Sequence, residues 1–246
     1  MSLRTEFEHS GSWLFRHRSY LPVLSLPLFI GGILTFSYLG SNHESEELWN
    51  LLCLVISFAG LVVRIVTIGY APKGTSGRNT SKQVADVLST TGMYSLVRHP
   101  LYLGNYLIVL GLISFFHSAW LILSATCVYA LYYERIMFAE EAFLRERFGA
   151  TFEAWAEQTP AIIPKFHGWV APSIPFCWRT VLRREYTGLF GIIATATALE
   201  IILDSVAEHR LRIDWPWIGL LASGGAIYLT LRTLKKTTAL LHVKGR

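Results

Sequence analysis

Charged residues are scarce in this sequence. Only 16% of its 246 residues are Asp, Glu, Lys or Arg, while 52% are hydrophobic. Soluble domains are usually about one quarter charged, so an ordinary water-facing surface is excluded for much of the chain. The 19 glycines and 8 tryptophans are typical of helices that pack in lipid and anchor at its interface. The composition predicts a polytopic membrane protein.

Cysteine is also rare. Cys53, Cys127 and Cys177 lie far apart and match neither a disulfide framework nor a zinc-ligand spacing. We therefore expect no disulfide and no metal. The net charge of +5 is interpreted as the excess of Lys and Arg on the cytoplasmic side of a membrane protein, and no nucleic-acid partner is expected.

The first 18 residues lack the basic start and apolar run of a cleavable signal peptide. They mix charges with Trp13, Leu14 and Phe15, a pattern that favours a segment lying at the membrane interface. We predict that 1–18 is such a segment.

Six apolar runs approach the length of about 20 residues that a membrane-spanning helix needs. They cover 19–40, 48–69, 101–118, 119–139, 186–203 and 215–233. The predicted fold class is therefore all-α, a polytopic membrane protein with about six transmembrane helices. His117 and Ser118 alone join the third and fourth runs, which predicts a tight helical hairpin.

Loop charges predict the orientation. The 41–47 loop carries three Glu and no Lys or Arg, whereas the 70–100 loop, the 134–185 segment and the C-terminal tail each carry several Lys or Arg. The positive-inside rule then places both termini in the cytoplasm.

The chain divides into an interfacial segment, two first spans, a central core, and a linker with two further spans and a basic tail. These are 1–18, 19–69, 70–165 and 166–246. In the core, strong helix formers from Tyr132 to Phe148 predict a helix that Gly149 ends. Thr151 is the expected cap of a shorter helix that ends at Pro160.

Arg98, His99 and Pro100 stand together where an apolar run begins. Arg98 could simply reach lipid phosphates while His99 occupies a turn. Alternatively, Arg98 holds an anion, His99 makes a hydrogen bond, and Pro100 fixes the first helical turn. Gly92 and Gly104 flank the motif and would allow close backbone approach to a ligand, although Gly104 could equally serve helix packing.

Glu140 and Glu141 form the second polar feature. Adjacent residues on a helix point about 100° apart, so one carboxylate can face water while the other faces a site. Arg135, Arg145 and Arg147 lie nearby and would keep a carboxylate ionised. A solvated helix face and a site for an amine or a ribose diol are both open interpretations.

Taken in order, these motifs resemble the signature of the integral-membrane S-adenosylmethionine methyltransferases. That family includes the isoprenylcysteine carboxyl methyltransferases and the phospholipid N-methyltransferases. The resemblance covers roughly residues 75–165. It rests on Gly92 and Tyr94; Arg98, His99, Pro100, Tyr102 and Gly104; Glu140 and Glu141; Phe148 and Gly149; and Pro160.

The resemblance implies S-adenosylmethionine as cofactor, bound in a cytoplasm-facing pocket, and a lipid or lipid-anchored acceptor that enters from the membrane. The implied cofactor contacts are Asn79, Asp86, Leu88, Ser89, Gly92, Tyr94, His99, Pro100, Tyr102, Gly104, Glu140 and Glu141. We expect Arg98, His99 and Arg135 to serve catalysis, with Arg78, Arg98 and Arg135 contacting the acceptor. The 74–83 loop could be an anion or cofactor clamp, or a solvated loop.

One departure bears on the acceptor. The prenylcysteine enzymes are expected to carry an Arg one helical turn before the first acidic residue, where this chain has Ile136. Its arginine, Arg135, lies about 100° around the helix. We therefore expect a lipid headgroup, either an amine or a phosphate, rather than a prenylated cysteine carboxylate.

Two other classes of protein are compatible with the sequence. An NADPH-dependent membrane reductase of the sterol type has a similar helical core, and a non-enzymatic scaffold could keep the fold. Outside the core, Arg64 is expected to reach the cytoplasmic interface along its own side chain. Glu200 and Asp204 are interpreted as interface or packing residues on the opposite side from the pocket.

Overall fold

A computed structural model describes residues 3–17, 26–38, 43–72, 85–243 and 245. Eight α-helices and one short 3-10 turn make up its regular structure, and those ranges contain no strand. The predicted all-α class is confirmed. The elements are α1 Leu3–His17, α2 Leu26–Leu34, α3 His43–Gly69, the 3-10 turn Gly92–Ser95, α4 Pro100–Ser114, α5 Ala119–Phe148, α6 Ala150–Gln158, α7 Trp178–Ala207 and α8 Trp215–Thr237.

Three of the described helices are long and apolar enough to cross a membrane. They are Glu46–Gly69 within α3, Ala119–Phe148 and Trp178–Ala207. The α4 helix is apolar but has 15 residues, a length of about 22 Å against a hydrocarbon core of about 30 Å. In the predicted 19–40 span, the described helix is the nine-residue α2. Six spans and cytoplasmic termini remain predictions.

The α3 and α4 helices pack antiparallel with almost no space between their backbones. A Cβ atom on Gly60 would lie 2.5 Å from the carbonyl oxygen of Gly104, and one on Gly104 would lie 2.8 Å from that of Gly60. About two turns further along α4, a Cβ on Gly111 would lie 2.4 Å from the Cys53 carbonyl oxygen. Small residues thus set the separation of the two helices.

Arg64 joins three helices. Its Nε and Nη2 atoms donate to the two carboxylate oxygens of Glu185 on α7, both at 2.7 Å. Its Nη1 donates to Asn105 Oδ1 on α4 at 2.6 Å. Arg64 is therefore held by partners on α4 and α7, and its position relative to the membrane interface stays a prediction. Because Glu185 is buried, loss of one partner would leave an uncompensated charge, at a cost of about 3–5 kcal/mol.

The α5 helix continues without a break through the charged segment, as predicted. It ends at Gly149, whose φ of +50° lies in the left-handed region that favours glycine. The prediction that Thr151 caps the next helix is wrong, since α6 begins at Ala150 with Gly149 as its N-cap. Near its charged end, α5 packs against α1, and Gly11 of α1 faces the carbonyl oxygen of Arg135.

The directions in which the helices run define two ends of the bundle. The first end holds the C-terminus of α3, the start of α4 and the last turns of α5. The second end holds the N-terminus of α3, the C-terminus of α7 and the start of α8. A buried apolar core lies between them, built around Leu61, Ile113, Phe115, Ile192 and Leu199.

We expect Gly111→Ala to lower the free energy of unfolding by about 1–3 kcal/mol, because the added methyl group overpacks the α3–α4 contact. The matched control is Gly219→Ala on α8, where a Cβ meets nothing within 4 Å. That change should be neutral or slightly stabilising. Thermal unfolding of the purified variants in detergent measures both effects, and equal midpoints would contradict the close contact.

Candidate functional site

The 3-10 turn before α4 is shaped by a glycine. Gly92 has φ +62°, a conformation that residues with a Cβ rarely adopt, and a Cβ there would also press on Pro172 at 3.1 Å. Its backbone N–H donates to the carbonyl of Val170 at 2.8 Å. Ser95 closes the turn, because its hydroxyl donates to the Gly92 carbonyl at 2.7 Å.

The chain segment 160–177 is attached to this turn and to the ends of α3 and α4. Main-chain N–H groups of the described chain donate across these junctions at 2.8–3.0 Å. The pairs are Arg98 to Pro160, Lys165 to Leu96, Gly92 to Val170, and Cys177 to Gly69. The segment therefore forms one wall beside the Arg98–His99 motif.

Two acidic and two basic side chains meet beside the start of α4. Glu141 accepts from Arg98 Nη1 at 2.8 Å and lies 3.0 Å from His99 Nε2. Glu140 accepts from the Tyr102 hydroxyl at 2.7 Å and lies 3.6 Å from His99 Nδ1. We call Arg98, His99, Tyr102, Glu140 and Glu141 the charged cluster. The sequence motif and the distant acidic pair are thus brought together.

His99 is held between the two carboxylates. Burial by itself would lower the pKa of its imidazole, but the hydrogen bonds to Glu140 and Glu141 and their negative charges raise the pKa above its ordinary value. The imidazolium is therefore favoured, and it can direct an N–H to each carboxylate.

Tyr94 lies behind the cluster in the 3-10 turn. Burial, together with the negative charge of Glu140, raises the pKa of Tyr94, so its phenol stays neutral. Its carbonyl accepts from Trp155 Nε1 at 3.1 Å, which connects α6 to the turn. Trp155 was not singled out from the sequence, although it follows Gly149 within the residues 75–165 that carry the family resemblance.

A series of tyrosine rings leads from the cluster along the α4–α5 interface. The Tyr102 and Tyr133 ring centroids are 4.8 Å apart, those of Tyr133 and Tyr129 are 4.2 Å apart, and those of Tyr129 and Tyr106 are 5.3 Å apart. Tyr106 and Tyr129 also line a shallow groove between α4 and α5, with apolar side chains such as Val109. Apart from Tyr102, these rings were not singled out from the sequence, because their helical spacing is equally typical of packing.

Two polar atoms, one in the cluster and one in the chain just before the 3-10 turn, have no hydrogen-bond partner within the part of the chain that the structure describes. They are Arg98 Nε and Ser89 Oγ, and both are buried. Buried polar groups are ordinarily satisfied, so both atoms are suited to a ligand oxygen. Glu140 is the more exposed of the paired carboxylates and can accept from a hydroxyl or an amine. This donor and acceptor set fits the carboxylate and ribose diol of S-adenosylmethionine.

The other residues expected at the site lie in different surroundings. Asp86 is exposed, 3.6 Å from Arg147, Leu88 is half-buried, and Pro100 is buried as the first residue of α4. Gly104 lies against α3, with its backbone facing Gly60.

One predicted site residue among those that the structure describes, Arg135, is directed away from the cluster. Arg135 points to α1, where it donates to Ser10 Oγ at 3.1 Å and covers the Phe7 ring at 4.5 Å. Arg78 and Asn79, with the rest of the 74–83 loop, lie outside the described residues.

The fold and the charged cluster define an all-helical protein with spans suited to a membrane and a polar site at one end of its bundle. Residues 50–151 match the family model described as phospholipid methyltransferase. This match confirms the resemblance to an integral-membrane methyltransferase family, and it includes the whole charged cluster.

Two curated relatives are similar to parts of the chain. A nickel-cobalt-cadmium resistance protein, NccN, of Alcaligenes xylosoxydans xylosoxydans is 26% identical over 63% of this chain and 68% of its own length. A cobalt-zinc-cadmium resistance protein, CzcN, of Cupriavidus metallidurans is 33% identical over 46% of this chain. The chain spans half the length of the latter. No solved structure matches the chain significantly.

The position of His99 predicts a pH dependence of stability. Because its folded pKa is raised above 6.5, its contribution is fully present below that value and is lost as the pH rises through the folded pKa. Subtracting the unfolding profile of His99→Gln from that of the wild type should show this loss. The exposed His242→Gln is the control and should follow the wild type; a flat difference for His99→Gln would contradict a charged His99.

Proposed function

We propose that the protein transfers a methyl group from S-adenosylmethionine to a lipid headgroup, either an amine or a phosphate. The observation that carries the proposal is the charged cluster, which joins the motif at the start of α4 to the acidic pair of α5. It lies within the segment that matches the phospholipid methyltransferase family. A scaffold would not need two cations and two carboxylates held together beside two buried polar atoms that lack a partner among the described residues.

S-adenosylmethionine supplies an electrophilic methyl group on a sulfonium. The protein therefore has to provide position, exclusion of water and an in-line approach rather than a strong nucleophile. Arg98, His99 and Ser89 would hold the carboxylate of the cofactor, and Glu140 would accept from its ribose. The rings of Tyr102 and Tyr133 offer aromatic surface beside Glu140 that favours a cation.

The acceptor would reach this site from the membrane. The shallow groove between α4 and α5 is lined by apolar and tyrosine side chains, and this surface beside the cluster is one against which a lipid chain could lie. The segment 160–177 exposes large apolar side chains, with Ile163 78% and Phe166 91% accessible. Such residues beside Lys165 are typical of a surface that lies in the headgroup region.

Each acceptor places a different demand on the cluster. A protonated amine must lose a proton before it attacks, and Glu140 is the more exposed carboxylate that can take it. A phosphate already carries a nucleophilic oxygen, and a guanidinium suits its geometry. A prenylcysteine carboxylate is less well supported because Ile136 is fully buried and Arg135 is committed to α1.

The central test supplies membranes containing the protein with methyl-labelled S-adenosylmethionine and counts lipid and protein fractions separately. We expect label in the lipid fraction, with Glu140→Gln and His99→Ala each reducing the rate by about 10–1000-fold, as expected when positioning and electrostatic groups are lost. Stability of the label to acid and base separates an amine product from a phosphate ester.

The matched control for that assay is Glu134→Gln, which removes the same charge from an exposed position on α5. Its rate should equal that of the wild type. Label in the protein fraction would favour a prenylcysteine acceptor. Turnover that survives both Glu140→Gln and His99→Ala would overturn the assignment of the site, and failure to bind the cofactor would favour the reductase or the scaffold.

We further propose that this activity supports tolerance of divalent transition metals, because both curated relatives are named as metal-resistance proteins. Methylation of a headgroup phosphate would remove a surface charge that attracts such cations. Cells that express the wild type should then grow at higher cobalt or nickel concentrations than cells with His99→Ala at equal protein level. Equal growth would remove this cellular role without affecting the transfer assay.

A further inference from the structure

The second end of the bundle, far from the charged cluster, gathers three carboxylates. Glu200 and Asp204 are one turn apart on α7, and Asp214 is the N-cap of α8. One oxygen from each lies within 4.8 Å of the others. Ligands on opposite sides of a calcium-sized ion are about 4.6–5.2 Å apart, since each Ca²⁺–O distance is about 2.3–2.6 Å. The spacing therefore suits a single cation.

An amide from a third helix points to the same place. Asn50 of α3 is only 2% exposed, and its Nδ2 donates to Glu200 Oε2 at 2.6 Å. Asn50 Oδ1 and Glu200 Oε1 are buried and accept no hydrogen bond from any described residue. Glu200 itself is 3% exposed. Two buried acceptor oxygens without donors, on residues that are hydrogen-bonded to each other, are what a cation ligand set needs and what packing alone disfavours.

The charges of the described side chains leave room for a divalent ion. Arg212 Nε lies 3.6 Å from Asp204 Oδ2 and 3.5 Å from Asp214 Oδ1, so one guanidinium faces two of the three carboxylates. Arg212 also contacts Glu208, whose charge Arg210 balances. Glu200, Asp204, Asp214 and Glu208 carry four formal negative charges, and Arg210 and Arg212 carry two positive charges. A divalent cation would neutralise the remaining two negative charges.

We propose that Asn50, Glu200, Asp204 and Asp214 bind a divalent cation that prefers oxygen ligands, of the class of Ca²⁺, Mg²⁺ and Mn²⁺. The four residues offer only carboxylate and amide oxygens, with no thiol or imidazole, and hard cations favour that set. The ion would join α3, α7 and α8 at the end where their buried charges would otherwise repel. This inference revises the expectation of no metal and is independent of the proposed methyl transfer.

The test measures Mn²⁺ binding to the purified full-length protein in lipid nanodiscs by electron paramagnetic resonance. We expect saturable binding that Ca²⁺ displaces, and a dissociation constant at least about tenfold larger in Glu200→Gln and Asp204→Asn, because affinity follows the number of charged ligands. Glu47→Gln, an exposed carboxylate at the same end, is the control with equal loss of charge and should bind as the wild type does.

A second measurement keeps the inference testable if a buried variant fails to fold. Asp214→Asn retains a side chain that can cap α8 and should show the same loss of Mn²⁺ affinity. The thermal midpoint of the wild type, but not of this variant, should rise with added Ca²⁺. No saturable Mn²⁺ binding, or equal affinities in Asp214→Asn and Glu47→Gln, would overturn the site and indicate carboxyl groups that share a proton instead.

Discussion

A guanidinium within an apolar helical bundle has to be matched by acceptors, and the position of the charged cluster depends on how Arg64 is matched. Its bonds to Glu185 and Asn105 fix α3, α4 and α7 relative to one another. Asn105 lies one turn beyond Tyr102. The same bonds therefore fix the position of the first turn of α4 along the axis of the bundle. The glycine contacts between α3 and α4 then bring the two backbones close enough for Arg64 to reach across.

The charged cluster is arranged by its own charges as well as by the helices. His99 between Glu140 and Glu141 offsets the repulsion of adjacent carboxylates, and Arg98 adds a second cation to Glu141. These contacts hold Tyr102 and the acidic pair in place before any ligand arrives, which reduces the cost of ordering a site on binding. The cluster can exchange one partner for a ligand without leaving a charge uncompensated.

The order of motifs in the sequence was sufficient to predict which end of α4 meets the acidic pair of α5. The apolar runs predicted the all-α class. The strong helix formers that lead directly to Gly149 predicted the continuous α5 helix. Arg135 illustrates a limit that helix geometry explains. It is five positions before Glu140, about 140° around the helix, so the two side chains face different neighbours.

Other features had no local signal. Arg64 and Glu185 are separated by 121 residues, and nothing near either one identifies the other as its partner. The attachment of the segment 160–177 relies on main-chain groups, which every sequence possesses. The contact of Asn50 with Glu200 likewise joins helices whose neighbours in space are decided by packing of the whole bundle, whereas the acidic residues alone were interpreted as packing or interface positions.

The main-chain attachment of that segment has a consequence for how such a protein can change over evolutionary time. The bonds from Arg98, Lys165, Gly92 and Cys177 have the same geometry whichever side chains the segment presents outward. Exposed positions such as Phe166 can therefore be replaced without altering the wall beside the charged cluster. A fold of this kind can change the chemistry of one outer surface by point substitutions, while the charged cluster stays as it was.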